Sequence, residues 1–296
     1  SKVLAHLESR GLSRDTIKKF KLGYSLKQKD ALLSAFRKEG VGSDAMKQSG
    51  LFIDTKGGYM DRFRGRIMFS IPNSSGKIAA FAGRVFESDD TAKYVNSPET
   101  PIYNKSKILY GLHETKQTIR ESNSVIVVEG YLDFLQLYQS GIHNIVAVSG
   151  TAFTDQHALQ LKRFCNNVYL AYDGDSAGKA AAIRAGYVLL RSGISAFIIN
   201  IPEDLDPDDW VKRDGNAPFL EAVKKGEKIL HFHYQNYNGD ISTTSGKTTF
   251  VNDVLLEIVQ INNPVGRELQ GQELSELVGV SSESIFHALH SMLEKQ

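Results

Sequence analysis

Ser124-Val125-Ile126-Val127-Val128-Glu129-Gly130-Tyr131-Leu132-Asp133 and, further along, Val168-Tyr169-Leu170-Ala171-Tyr172-Asp173-Gly174-Asp175 decide the fold. Each stretch is a short apolar run that stops at carboxylates and a glycine. Runs too short for helices and without polar alternation read as strands buried on both faces. The spacing predicts helices over 132–139, 155–164 and 176–191, with further strands over 144–148 and 196–201. Strands alternating with helices predict a parallel sheet covered by helices on both faces. Ligands bind such sheets beyond the carboxyl ends of the strands. Glu129, Asp173, Asp175 and the acids of Asp206-Pro207-Asp208-Asp209, after the fourth strand, should therefore meet along one edge.

Five or six carboxylates at one edge repel and raise one another's pKa unless cations compensate. Oxygen-only donors suit hard divalent ions, and Mg²⁺ commonly joins a few carboxylates to substrate phosphates. Each acid alone is also an ordinary turn residue or helix cap. Three acidic motifs at successive strand ends favour a metal centre over that plainer reading. Asp133 falls inside a helix, and its position suggests a residue that orients a ligand rather than one that binds metal.

Outward from this region the pattern changes on both sides. Residues 1–50 read as short helices, with Ser13 as an N-cap and an amphipathic segment over 30–39. From Leu51, strand candidates separated by Gly-rich turns predict an antiparallel sheet. After residue 215 helical periodicity dominates, near 217–237, 247–262, 264–278 and 282–294, and predicts a helical bundle. The expected division is 1–114, 115–215 and 216–296: an α+β front, a central α/β sheet and the bundle.

Charge follows the same division. The chain carries +1 overall, but residues 1–114 hold 20 Lys/Arg against 12 Asp/Glu, and the other two parts are acidic, net −3 and −4. A polyanion suits the first part and metal ions the second. In Asp61-Arg62-Phe63-Arg64-Gly65-Arg66 the arginines alternate, so a strand there would project all three from one face. Arg84, Lys93 and Lys105 are further candidates for triphosphate or template contacts. Tyr94 and Tyr103 are candidates for base stacking or for the core.

The carboxylate pattern resembles the Toprim domain, shared by DnaG-type primases, topoisomerases and some nucleases. The preceding segments resemble the bacterial primase core in particular. These are Asp61–Phe69 with its arginines, Ala80-Phe81-Ala82-Gly83-Arg84, Lys93-Tyr94-Val95-Asn96-Ser97-Pro98-Glu99-Thr100, Lys105 within 103–111, and the opening Arg10-Gly11-Leu12 and Leu22-Gly23-Tyr24. Ser70 and Ala82 stand where that family usually has Pro and Gly. The resemblance covers residues 1 to about 215. It implies template-directed synthesis of RNA primers on single-stranded DNA from ribonucleoside triphosphates, giving an RNA–DNA hybrid. It also implies two or more Mg²⁺ or Mn²⁺ ions held by Glu129, Asp173, Asp175, Asp206 and Asp208, with Glu129, Asp173 and Asp175 catalytic. Nucleotide and template would be held by Arg62, Arg64, Arg66, Arg84, Lys93, Tyr94, Asn96 and Lys105. Contact with the replicative helicase is expected through a domain absent from this chain, and no zinc site is expected within it.

Other readings are weaker. A Toprim nuclease, a topoisomerase fragment or a non-catalytic single-strand-binding module would share the carboxylates but not the primase-like segments. His231 and His233 would lie on different faces of a helix. A helix-turn-helix over 274–289 would have no Lys or Arg on its second helix, so bundle packing is expected. No apolar run reaches the ~18 residues of a membrane span, and no basic-then-apolar leader opens the chain. The single cysteine, Cys165, suits a reducing cytoplasm. The missing initiator Met suggests a fragment.

Overall fold

A computed structural model describes residues 2–87 and 92–295. The front opens with α1 (Lys2–Ser9), α2 (Arg14–Lys19), β1 (Gly23–Ser25), α3 (Ala31–Lys38) and α4 (Ser43–Gln48). The hydroxyl of Ser13 caps α2 by accepting from the Thr16 amide. A two-stranded antiparallel sheet follows, β2 (Phe52–Thr55) and β3 (Gly58–Asp61). With α3 and α4 it encloses a small core of Leu33, Met46 and Phe52. Then come β4 (Arg66–Pro72), β5 (Ile78–Val85) and β6 (Tyr94–Asn96). They form an antiparallel sheet of order β1-β4-β5-β6.

A 3₁₀ turn at Lys105–Lys107 leads to α5 (Leu112–Ser122), β7 (Ser124–Val128), α6 (Tyr131–Gln139), β8 (Ile145–Ala147), α7 (Asp155–Leu161), β9 (Asn167–Leu170), α8 (Ser176–Arg191) and β10 (Ser195–Ile198). The remaining elements are α9 (Pro207–Asp214), α10 (Asn216–Lys224), β11 (Glu227–Lys228), α11 (Ile229–Gln235), α12 (Thr244–Ile258), α13 (Pro264–Val278) and α14 (Ser282–Leu293). The central sheet runs β11-β10-β9-β7-β8. Its four longer strands are parallel, as expected, and β11 adds an antiparallel edge. That edge interrupts the helix expected over 217–237, because two residues are too few to leave a periodic signal.

Side-chain alternation explains why the parallel strands are apolar beyond their first residues Ser124, Asn167 and Ser195. Val125, Val127, Val146, Val168, Leu170, Ala196 and Ile198 face a core shared with α8 and α11–α14. Ile126, Val128, Ile145 and Ala147 face the other way, onto α6, α9 and the antiparallel sheet. With both faces covered, each fully buried Val or Ile contributes about 1.5–3 kcal/mol. Helix α6 lies between the two sheets, so every residue from Tyr131 to Leu137 is buried. Tyr131 stacks on Phe69 of β4 with centroids 5.0 Å apart, which joins the antiparallel sheet to the start of α6. Among the described residues no helix is long and apolar enough to cross a membrane.

Candidate active site

From β7 the chain crosses to β8 on one side and later to β9 on the other, so the crossovers part and leave a crevice between β7 and β9. Glu129 follows β7 and Asp173 follows β9. The Asp173 amide donates to Glu129 Oε1 at 3.4 Å. The loop after β10 returns to this edge through a close backbone approach at Gly174. A Cβ there would overlap the Pro202 carbonyl, and the Gly174 amide donates to Leu205 O at 2.9 Å. Asp206 then caps α9, accepting from the Asp209 amide at 2.7 Å. Asp208, in the first turn, is buried and paired with Lys212.

Asp133 accepts a hydrogen bond from the Gly130 amide at 2.9 Å. It also lies against Asp206 and Asp208, with one carboxylate oxygen of each within 4.8 Å of the other two. The acid set aside in the sequence is therefore part of the one compact trio of potential ligands among the described residues. Its role as a helix-start acid is real, and the loop after β10 brings the other two acids to it. Asp175 stands apart from the trio. It is exposed, caps α8 by accepting from the Gly178 amide at 2.7 Å, and is not among the residues lining the cleft.

Four of the carboxyls, Glu129, Asp133, Asp173 and Asp208, are held above their ordinary range. Burial pushes Asp133 up to about 8, aided by the charges of Asp206, Asp173 and Asp208 and opposed by the Gly130 amide. Burial, then Glu129, Asp206 and Asp175, raises Asp173 to about 6, while Lys93 acts against the rise. Glu129 is raised chiefly by burial, and so is Asp208 against the pull of Lys212. Crowded carboxyls of this kind bind protons when no cation is present, and an all-oxygen donor set fits a hard divalent ion.

These acids line a cleft of about 850 Å³ together with Arg10, Arg84, Lys93, Tyr94, Asn96, Arg184 and Arg191. Arg84 and Tyr94 are cross-strand partners on β5 and β6, with the guanidinium 5.9 Å from the ring centroid. Asn96 donates to Ser149 O and accepts from the Tyr131 hydroxyl, both at 3.1 Å. It thereby ties β6 to the segments that follow β7 and β8. Arg184 and Arg191 are cleft residues that sequence reasoning missed, since single arginines on a helix face carry no pattern, and Arg10, known from sequence only as part of the opening Arg10-Gly11-Leu12 segment, had no place in the expected site.

The expected arginine strand is a correction. Arg62 and Arg64 precede β4 in a connection that turns at Gly65 (φ 60°), so no strand aligns the three side chains. Arg62 Nε donates to Gly50 O at 3.0 Å, and Arg64 donates to Asp61 O. Arg66 is 1 % exposed and bonds the carbonyls of Gly83 and Ala92 at 3.1 and 3.0 Å. Asp61 accepts from the amides of Leu32 and Leu33, at the start of α3, at 2.6 and 2.9 Å. The motif thus fastens the small α3–β3 lobe to the sheet. Tyr103 is buried in the core, and burial raises its hydroxyl to about 12.

Lys105 does not line the cleft; its carbonyl is bound by His157. The Thr154 amide donates to His157 Nδ1 at 3.3 Å, which leaves Nε2–H to donate to Lys105 O at 3.0 Å. Burial accordingly lowers His157 to about 4. Since the unfolded chain takes up this proton near pH 6.5 and the folded one only near 4, stability is lost as pH falls between those values, by roughly 1.4 kcal/mol per unit. His157→Gln should abolish that part of the slope in urea unfolding. An unchanged slope would mean that this ring does not control it.

Comparison with known proteins follows the same architecture. A model described as DNA primase catalytic core, N-terminal domain, matches residues 1–116, and a Toprim-like model matches 126–211. A DNA primase domain from Pseudomonas aeruginosa is 35% identical, covering 98% of this chain and 92% of that one, with a TM-score of 0.89. The chain belongs to the DnaG-type primase catalytic-core family. Another member, a DnaG primase catalytic domain bound to ssDNA, is 34% identical over 96% of this chain and 91% of that one, with a TM-score of 0.84. The DNA primase of Listeria monocytogenes is 34% identical over 99% of this chain but only 47% of its own length, so the chain spans about half of that primase. A third model, described as DnaB-helicase binding domain of primase, matches residues 237–283. This corrects the expectation that any helicase-contacting domain lies outside the chain: a segment resembling one lies in its helical bundle.

Proposed function

We propose that this chain is the RNA-polymerising core of a bacterial DnaG-type primase, acting in the cytoplasm at the replication fork. The carrying observation is one cleft lined both by carboxylates from three strand ends and by Arg84 and Lys93. Such a cleft suits template-directed joining of ribonucleotides, in which a 3′-hydroxyl displaces pyrophosphate from a nucleoside triphosphate. Glu129, Asp173, Asp133, Asp206 and Asp208 would hold the divalent ions, with Asp175 linked through water or by its charge. When bound, Mg²⁺ or Mn²⁺ supplies activation of the attacking hydroxyl and stabilisation of the leaving oxygens.

The protein's own residues position and neutralise. Arg84 and Lys93 hold phosphates beside the carboxylates, Tyr94 offers a ring face beside Arg84, and Asn96 fixes β6 against the loops after β7 and β8. Proton transfer by side chains is not required, because orientation and charge carry the rate. Arg62, Arg64, Arg66 and Lys105 support the surface on which template or hybrid would lie. The division 1–114, 115–215 and 216–296 assigns template and nucleotide to the front, metal to the middle and helicase contact to the bundle. Incubation with single-stranded template, labelled ribonucleotides and Mg²⁺ or Mn²⁺ should yield short RNA. Template cleavage, or retention without synthesis, would refute the reading in favour of a nuclease or a binding module.

A further inference from the structure

Strand register sets a tyrosine beside the first acid of the parallel sheet. In the pair β7 and β9, Val125 lies opposite Val168 and Val127 opposite Leu170. Two residues further, the same count sets Glu129 opposite Tyr172, at the ~4.8 Å spacing of neighbouring strands. Backbone hydrogen bonds carry the register that far. The Ala171 amide donates to Val127 O at 2.9 Å, and the next amide in step, that of Asp173, reaches the Glu129 carboxylate. Side chains two apart on a strand share a face, so Glu129 and Tyr172 follow Val127 and Leu170. Tyr172 accordingly belongs to the same core as Val127, Leu170 and the α8 residues Ala182 and Ala185.

Both groups are short of partners. The Tyr172 hydroxyl is buried and has no hydrogen-bond partner among the described residues. A buried hydroxyl of that kind is costly until an acceptor meets it. Glu129 accepts one bond, from the Asp173 amide at 3.4 Å, which is long for an N–H···O contact. Its backbone carbonyl is already taken by the Ser149 amide at 2.9 Å. Burial, then the charge of Glu129, raises the Tyr172 hydroxyl far above its ordinary range against the pull of Arg184, so it stays protonated and can donate. A carboxylate that ligates a cation is normally steadied by a hydrogen bond of its own, and losing such a partner typically costs about 10–100-fold in metal affinity. One other acceptor is conceivable. Tyr172 also borders a cavity of about 10 Å³ beneath Gly174 and Gly178, with Asn200 on its wall, which is near the smallest space that holds a water.

We propose that Tyr172 is a positioning residue for Glu129: its hydroxyl donates to the Glu129 carboxylate and holds it in the direction that a divalent cation requires. The inference rests on the metal-dependent reading above. The test measures Mn²⁺ binding to the full chain, to Tyr172→Phe, to Glu129→Ala and to the double variant, with metal-free melting curves for each. Tyr172→Phe keeps the ring and loses only the oxygen, so its metal-free melting temperature should be unchanged or raised. Its Mn²⁺ affinity should nevertheless fall by about ten-fold. On the Glu129→Ala background the same substitution should change affinity by less than about two-fold, since the two residues act as one unit. In primer synthesis the Mn²⁺ concentration for half-maximal rate should rise, with the KM for nucleotide at saturating Mn²⁺ unchanged. Unaltered Mn²⁺ affinity in Tyr172→Phe overturns the proposal and leaves the hydroxyl to a water in the small cavity. An equal loss on the Glu129→Ala background also overturns it, because Tyr172 then does not act through Glu129. So does a loss accompanied by a lower metal-free melting temperature, which makes the hydroxyl a structural group. If the unsubstituted chain binds no Mn²⁺ that Glu129→Ala weakens, the metal-dependent reading itself fails and this inference falls with it.

Discussion

Glu129→Gln and Asp173→Asn should each lower primer synthesis by on the order of 10²–10³-fold or more, with the melting temperature unchanged or raised. The two residues flank the crevice between β7 and β9, and the Asp173 amide touches Glu129 Oε1. The Asp173 carboxylate accepts no hydrogen bond among the described residues, and the long bond from the Asp173 amide to Glu129 can be kept by the amide oxygen of glutamine. Both carboxylates are charges held above their ordinary pKa range chiefly by burial. An amide of nearly the same shape relieves that repulsion while removing a cation's ligand. The assay is labelled-ribonucleotide incorporation at saturating Mn²⁺, with circular dichroism as the check on folding. Near-normal incorporation by either variant would show that the crevice is not the reacting centre.

Asp133→Asn should have the largest effect on stability, and in the opposite direction from a typical core substitution. The folded carboxyl titrates near 8 and the unfolded one near 3.8, so between these values the folded state binds the extra proton. Stability then falls as pH rises, by up to roughly 1.4 kcal/mol per unit. His157 is uncharged in both states above about pH 6.5, so the interval from 6.5 to 8 isolates the carboxylates. Metal-free protein should therefore lose on the order of 2 kcal/mol across that interval. Added Mg²⁺ should remove the loss, and Asp133→Asn should reduce both the loss and the response to Mg²⁺. Denaturant unfolding with and without a chelator measures all three. A flat metal-free profile would contradict the burial of Asp133 beside Asp206, Asp173 and Asp208.

The parts of this molecule that sequence made legible are those whose period is their own. Strand β7 and helix α8 fall at the expected residues because an all-apolar run or a long amphipathic stretch needs no partner to be recognised. Illegible parts depend on distant backbone. Arg62, Arg64 and Arg66 alternate like strand residues, yet Gly65 turns the chain and Asp61 is drawn to the start of α3. Asp133 looks like a helix-start acid and is one, but its neighbours Asp206 and Asp208 arrive only because Gly174 admits the loop after β10. Arg10 belongs to a recognisable segment, Arg10-Gly11-Leu12, but nothing local in it points to the cleft. Its place is set by two glutamines of α6 far along the chain.

The proposed reaction requires carboxylates from separate strand ends to form one divalent-metal centre facing the basic side of the cleft. Crystals soaked in Mn²⁺ and recorded at its absorption edge test it in one measurement. Anomalous peaks are expected within ligand distance, about 2.0–2.3 Å, of oxygens of Asp133, Asp206 or Asp208 and of Glu129 or Asp173. Manganese bound only elsewhere on the surface, with this edge empty at saturating metal, would contradict the account.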